Sequence, residues 1–123
     1  MPYIRIGCAV PAVSVGNVKK NAENICKAMK EADSKLTDVL VFPELAISSC
    51  SCGDLFRQRV LINECIAALE VITDATKTSD MVVVIGFPYA YNGKLYNCAA
   101  VLSDGRILGI VPKKYLSGDE RNF

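Results

Sequence analysis

Histidine is absent from the 123-residue chain, and no two of its cysteines form a CxxC pair. Together these absences remove the usual ligand sets of a zinc site. Long basic runs are missing too. The 14 basic and 13 acidic side chains leave a net charge of +1, which argues against a nucleic-acid or membrane-surface partner. No apolar run approaches the length of a membrane span. The opening Met-Pro-Tyr-Ile-Arg-Ile has neither the charged leader nor the apolar core of a signal peptide. The expectation is a cytoplasmic protein. There is no Gly-x-Gly-x-x-Gly and no P-loop, which counts against a doubly wound nucleotide-binding domain. Internal repeats, low-complexity tracts and linkers are lacking as well.

What is present fits one soluble globular unit. The apolar fraction is 51% and the charged fraction 22%, and the length suffices for a single core. Six cysteines are too dilute for a disulfide scaffold. Cys8, Cys26, Cys65 and Cys98 fall in apolar element patterns, where cysteine acts as a small hydrophobe; only Cys50 and Cys52 lie in a loop. The reading is a reduced, metal-free cytosolic domain.

Alternation of Ile4, Ile6, Cys8 and Val10 predicts a first strand over Tyr3–Val10, ended by Pro11. Over Asn17–Ser34, Val18, Ala22, Ile25, Met29 and Ala32 recur every three or four residues, the stripe of an amphipathic helix. A second strand is expected over Leu36–Phe42. A second helix follows, with Asp54 as a cap or first-turn acid, running to about Lys77. The β-branched run Met81–Phe87 predicts a third buried strand. Asn92-Gly93 and Asp104-Gly105 then signal tight hairpins between strand-like runs over Leu95–Leu102 and Arg106–Val111. This order gives an α/β fold, a mixed sheet with two helices on one face.

The most informative stretch is Val39–Phe56. Val39 to Phe42 fill a buried strand and Pro43 stops it, lacking an N–H for the ladder. Glu44 follows, a lone carboxylate before Leu45, Ala46 and Ile47. A buried charge there costs several kcal/mol unless paired, and such groups often serve acid–base chemistry through a shifted proton affinity. A wet strand end without a role is the plainer reading. Near the other end, Ile110 to Leu116 is a strand end followed by Lys113 and Lys114, by itself no more than a solvated basic edge. A strand-end Glu and a strand-end Lys separated by two helices could be brought together on one rim of the sheet, where open α/β sheets usually place their chemistry.

With Phe42-Pro-Glu-Leu45, Gly86-Phe-Pro88, Asn92-Gly-Lys-Leu-Tyr-Asn97 and Val111-Pro-Lys-Lys-Tyr-Leu116 in this order, the chain resembles the N-terminal part of the nitrilase superfamily. These are carbon–nitrogen hydrolases with an αββα sandwich fold. The resemblance runs from about Ile4 to Leu116. Cys52-Gly-Asp-Leu-Phe56 and the Val-Pro-Lys-x-Tyr-Leu form of the lysine segment look like one branch, the glutaminase domain of glutamine-dependent NAD synthetases. In that branch an amidase domain releases ammonia from glutamine, and a synthetase domain uses it, with ATP and Mg, to convert deamido-NAD to NAD.

The resemblance implies a Glu–Lys–Cys triad, with Glu44 as general base and Lys113 as the lysine that stabilises the oxyanion. Lys114 is set aside because the pattern places the lysine three before the leucine, here Leu116. It implies no cofactor in this domain, a small amide (glutamine) as substrate, and a homo-oligomer in the full-length protein. Two departures stand out. None of the six cysteines matches the nucleophile motif, which lies beyond the lysine, and after Leu116 the family's aromatic, acidic loop is replaced by Ser117 to Phe123. The expectation is therefore that residues 1–123 are a partial carbon–nitrogen hydrolase (glutaminase) domain, truncated on its C-terminal side and inactive alone. A half-sheet of this kind is expected to be weakly stable and prone to associate. A stand-alone nitrilase-type amidase on another small amide and a non-catalytic α/β module remain open alternatives.

Overall fold

A computed structural model describes residues 3–48, 59–92 and 94–112. Strand β1 (Ile6–Cys8), helix α1 (Val18–Ser34), strand β2 (Val39–Val41), helix α2 (Arg59–Ala75) and strand β3 (Val82–Tyr91) alternate along the chain. Strands β4 (Lys94–Ser103) and β5 (Arg106–Pro112) follow as a meander. The five strands lie in sequence order in one sheet. β1, β2 and β3 are parallel neighbours, whereas β4 pairs antiparallel with β3 and β5 antiparallel with β4. Each parallel crossover needs a helix, and each hairpin needs only its turn. Asp104 (φ 51°) and Gly105 (φ 73°) supply the left-handed turn that joins β4 to β5.

Side-chain alternation along the two longest strands divides the sheet into two faces. Val83, Ile85 and Phe87 of β3 pair across to Leu102, Ala100 and Cys98 of β4. All six belong to a core that also holds Val18, Ile25 and Met29 of α1 and Leu61, Leu69 and Ile72 of α2. Both helices therefore cover the same face, as the amphipathic pattern implied. The other face carries Val39, Val41, Val84 and Val101, all half-buried, and Ile6, which is 67% exposed. In an αββα sandwich this helix-free face turns to a second sheet, which accounts for the apolar side chains on it.

Three expectations change. The first two strands shrink to three residues each; β2 starts late because α1 ends in a turn in which Leu36 takes φ 60° and is exposed. Cys8 is exposed, since β1 is an edge strand. β3 runs past Phe87 through Pro88 to Tyr91. Proline is tolerated there because the backbone of Val84 points to β2, accepting from Phe42 N. By alternation the N of Pro88 points the same way, beyond the end of β2 at Val41, where no ladder bond is lost.

Candidate active site at the strand-end rim

The last ladder bond of β2 runs from Phe42 N to Val84 O (2.8 Å). Pro43 has no N–H to continue it, and residues 44–48 turn away from the sheet. Leu45 adopts φ 50°, and Ser48 N closes the turn on Leu45 O (3.2 Å). Leu45, Ala46 and Ile47 enter the core, whereas Glu44 is exposed. Of the two readings of Glu44, a buried charge and a wet strand end, the exposure agrees with the second: the three apolar residues after it plug the turn into the core and leave Glu44 at the solvent-facing rim.

Two contacts determine where Glu44 stands. The first is Gly86. A Cβ on this residue would lie 2.5 Å from Leu45 N, 2.7 Å from Pro43 O and 2.8 Å from Glu44 Cα. The Glu44 turn therefore rests directly on the backbone of β3, a separation only glycine permits. The second is Asn21, fully buried on α1. Its Oδ1 accepts from Ser14 N (2.7 Å), and its Nδ2 donates to Ser14 O and Ile47 O (2.9 Å each). Gly16 N adds a bond to Ser48 O (3.2 Å). One side-chain amide thus ties the β1–α1 loop to the turn that carries Glu44.

Sequence reasoning assigned neither residue a role, although both leave a signal. Asn21 lies three after Val18 and four before Ile25, a polar residue on an apolar stripe. Gly86 interrupts a β-branched run, a mark of close backbone approach. Replacing Asn21 with Ala removes the partner of Ser14 N and of Ile47 O, while Ser14 O keeps its bond from Asn17 N. The expected result is a loss of about 2–4 kcal/mol, read as a lower urea midpoint at unchanged slope.

β5 is parallel to β2 and β3, being two antiparallel steps from β3. Its last residue, Pro112, pairs with Cys98, which pairs with Phe87. Phe87 is three positions beyond Val84, and Glu44 is three beyond Val41, the partner of Val84. Glu44, seated over Gly86, and the end of β5, paired through Cys98 to Phe87, therefore reach the same rim of the sheet. Lys113, immediately after Pro112 in sequence, lies outside the described residues, as do Cys50 and Cys52.

Three of the four described cysteines, Cys98, Cys65 and Cys26, are poorly suited to attack an amide at this rim. Cys98 is buried among the core residues, on the face of β4 opposite to the one on which the Glu44 turn rests, and burial pushes its thiol pKa up. Cys65 is buried on α2. Burial also raises the thiol of Cys26, with Lys30 opposing the effect. Thiolate supply falls as the pKa rises. Among the described residues no group of three or more His, Cys, Asp or Glu is placed to hold a metal, and no helix is long and apolar enough to cross a membrane.

Residues 6–119 match the family model described as carbon-nitrogen hydrolase. A glutamine-dependent NAD(+) synthetase of Aquifex aeolicus is 38% identical over 103 residues, covering 84% of this chain and 18% of the relative. One from Xylella fastidiosa is 35% identical over 126 residues, covering 98% and 23%. Among solved structures, a glutamine-dependent NAD(+) synthetase from Cytophaga hutchinsonii superposes with a TM-score of 0.88 at 30% identity, covering 94% of this chain and 20% of that one. An amidase of the nitrilase superfamily from Nesterenkonia shares the fold, with a TM-score of 0.81 at 18% identity, over 97% of this chain and 47% of that one. The chain spans about a fifth of the length of the synthetases it matches.

Proposed function

The chain belongs to the carbon–nitrogen hydrolase family, and from that premise we propose that it forms part of a glutaminase domain feeding ammonia to an ATP-dependent NAD synthetase. The observation that carries this reading is the turn seated on Gly86, which presents Glu44 at the rim where β5 ends. The relatives named as glutamine-dependent NAD(+) synthetases support it.

In this reading Glu44 takes the proton of a cysteine thiol as sulfur attacks the carboxamide carbon of glutamine. The same carboxylic acid then gives that proton to the departing nitrogen, so the C–N bond breaks, ammonia leaves and a thioester remains. Water, losing a proton to Glu44, attacks the thioester; the C–S bond breaks, the leaving sulfur takes that proton back from Glu44, and glutamate is released. Lys113 holds the negative oxygen of both tetrahedral intermediates. None of the six cysteines of the chain matches the family nucleophile, so the attacking thiol belongs to a segment of the full-length protein beyond Lys113. ATP and Mg serve the synthetase domain.

Lys113→Ala in the full-length protein tests the assignment. Glutamine-driven NAD formation is expected to fall by about 10²–10³-fold, with ammonia-driven formation retained. A Lys113→Ala enzyme that still uses glutamine at the parent rate removes Lys113 from the mechanism. A parent that uses ammonia but not glutamine, while hydrolysing another small amide, favours an amidase of different specificity.

A further inference from the structure

The side chain of Asn97 is buried, and its Nδ2 has no hydrogen-bond partner among the described residues. A buried donor without an acceptor costs about 1–3 kcal/mol, and such groups are rare in folded proteins. Asn97 pairs with Pro88 on β3 and follows Tyr96 in the Asn92–Asn97 hairpin segment. Its neighbour Cys98 points into the helix-covered core, so Asn97 points to the opposite face. Gly86 lies on that same face, between core residues Ile85 and Phe87, and there the backbone of Glu44 rests on it.

Gly86 pairs with Ala99, two residues from Asn97 along β4. Asn97 is therefore the diagonal cross-strand neighbour of the position that seats Glu44, a separation of about 7–8 Å between the two Cα positions. On its other side, β5 ends at Pro112, paired with Cys98. The unpaired amide thus stands between the Glu44 turn and the end of β5. An oxygen arriving at this rim would supply the acceptor it lacks.

We propose that Asn97 Nδ2 donates a hydrogen bond to the carboxamide oxygen of the amide bound beside Glu44, and that it strengthens this bond as charge develops on that oxygen. The proposal rests on the amidase reading above. It explains why a donor is kept dry and unpaired: a preorganised donor needs no reorganisation when the oxyanion forms.

The test uses the full-length protein, with Asn97→Leu and Asn97→Asp, and glutamine as the amide. Leucine keeps the volume and removes the donor; aspartate keeps the shape and offers only oxygens. Both variants are expected to lose about 10²–10³-fold in kcat for glutamine hydrolysis with KM little changed, while ammonia-driven NAD formation persists. The thermal midpoint of Asn97→Leu should stay at or above the parent value, because no hydrogen bond is lost on folding. Parent-like glutamine hydrolysis in Asn97→Leu overturns the proposal. So does a marked drop in its midpoint, which gives Asn97 a structural partner instead. A parent enzyme that uses ammonia but hydrolyses no glutamine is a different failure: it removes the glutaminase reading, and this proposal goes with it.

Discussion

Glu44→Gln in the full-length protein should abolish glutamine-driven NAD formation and leave ammonia-driven formation near the parent rate. Glutamine is isosteric with glutamate but accepts no proton at neutral pH, so the thiol loses its base and the leaving nitrogen its acid. General acid–base groups of this kind contribute about 10²–10⁴-fold, and Glu44 is asked to act in both half-reactions, which places the loss at the upper end. The fold should be unaffected. Glu44 is exposed, whereas Leu45, Ala46 and Ile47 anchor the turn from within the core, so the variant should unfold at the parent midpoint. The decisive comparison is of initial rates with glutamine and with ammonium at equal protein. Undiminished glutamine use would take Glu44 out of the mechanism.

Gly86→Ala should also damage glutamine use, though less, and for a mechanical reason. The added methyl meets backbone on all sides: Leu45 N at 2.5 Å, Pro43 O at 2.7 Å and Glu44 Cα at 2.8 Å. None of these is a flexible side-chain end that can swing away. Either the turn lifts off β3 or the strand shifts, at a cost of about 1–3 kcal/mol. The Asn21 bonds to Ile47 O and Ser14 O and the buried Ile47 hold the far end of the turn. The displacement therefore falls where the methyl presses, on Pro43, Glu44 and Leu45. A misplacement of about 1 Å in a catalytic group is worth about 10²-fold in rate. The expected result is a protein that still folds, with a lowered midpoint, and loses about 10²-fold in glutamine-dependent kcat while ammonia use persists. Gly86→Ala with full glutamine activity would mean that the turn and its carboxylate are not held by this contact.

Much of this protein is determined locally, and the sequence alone was enough to read it. Helix α1 follows from the Val18, Ala22, Ile25, Met29 stripe, and the β4–β5 turn from Asp104-Gly105, because period and turn chemistry act between residues a few positions apart. Pro43 ends β2 for an equally local reason: it has no N–H to give. The family resemblance also lay in short motifs, and the matched carbon-nitrogen hydrolase model covers the segments that carry them.

Tertiary structure decided what those motifs do. Whether Glu44 is buried could not follow from its apolar neighbours, since their side chains enter the core only because α1 and β3 stand where they do. The seat on Gly86 joins β3 to the turn that follows β2, and the bond from Asn21 to Ile47 spans 26 residues. The meeting of Glu44 and the end of β5 at one rim depends on three successive strand registers. Asn97 belongs to a motif of the resemblance but has no assigned role until pairing puts it one diagonal from Gly86. Long-range contacts of this sort depend on the relative placement of whole elements, which no window of neighbouring residues encodes. The chain's local chemistry chose the pieces, and packing chose which of them meet at the rim.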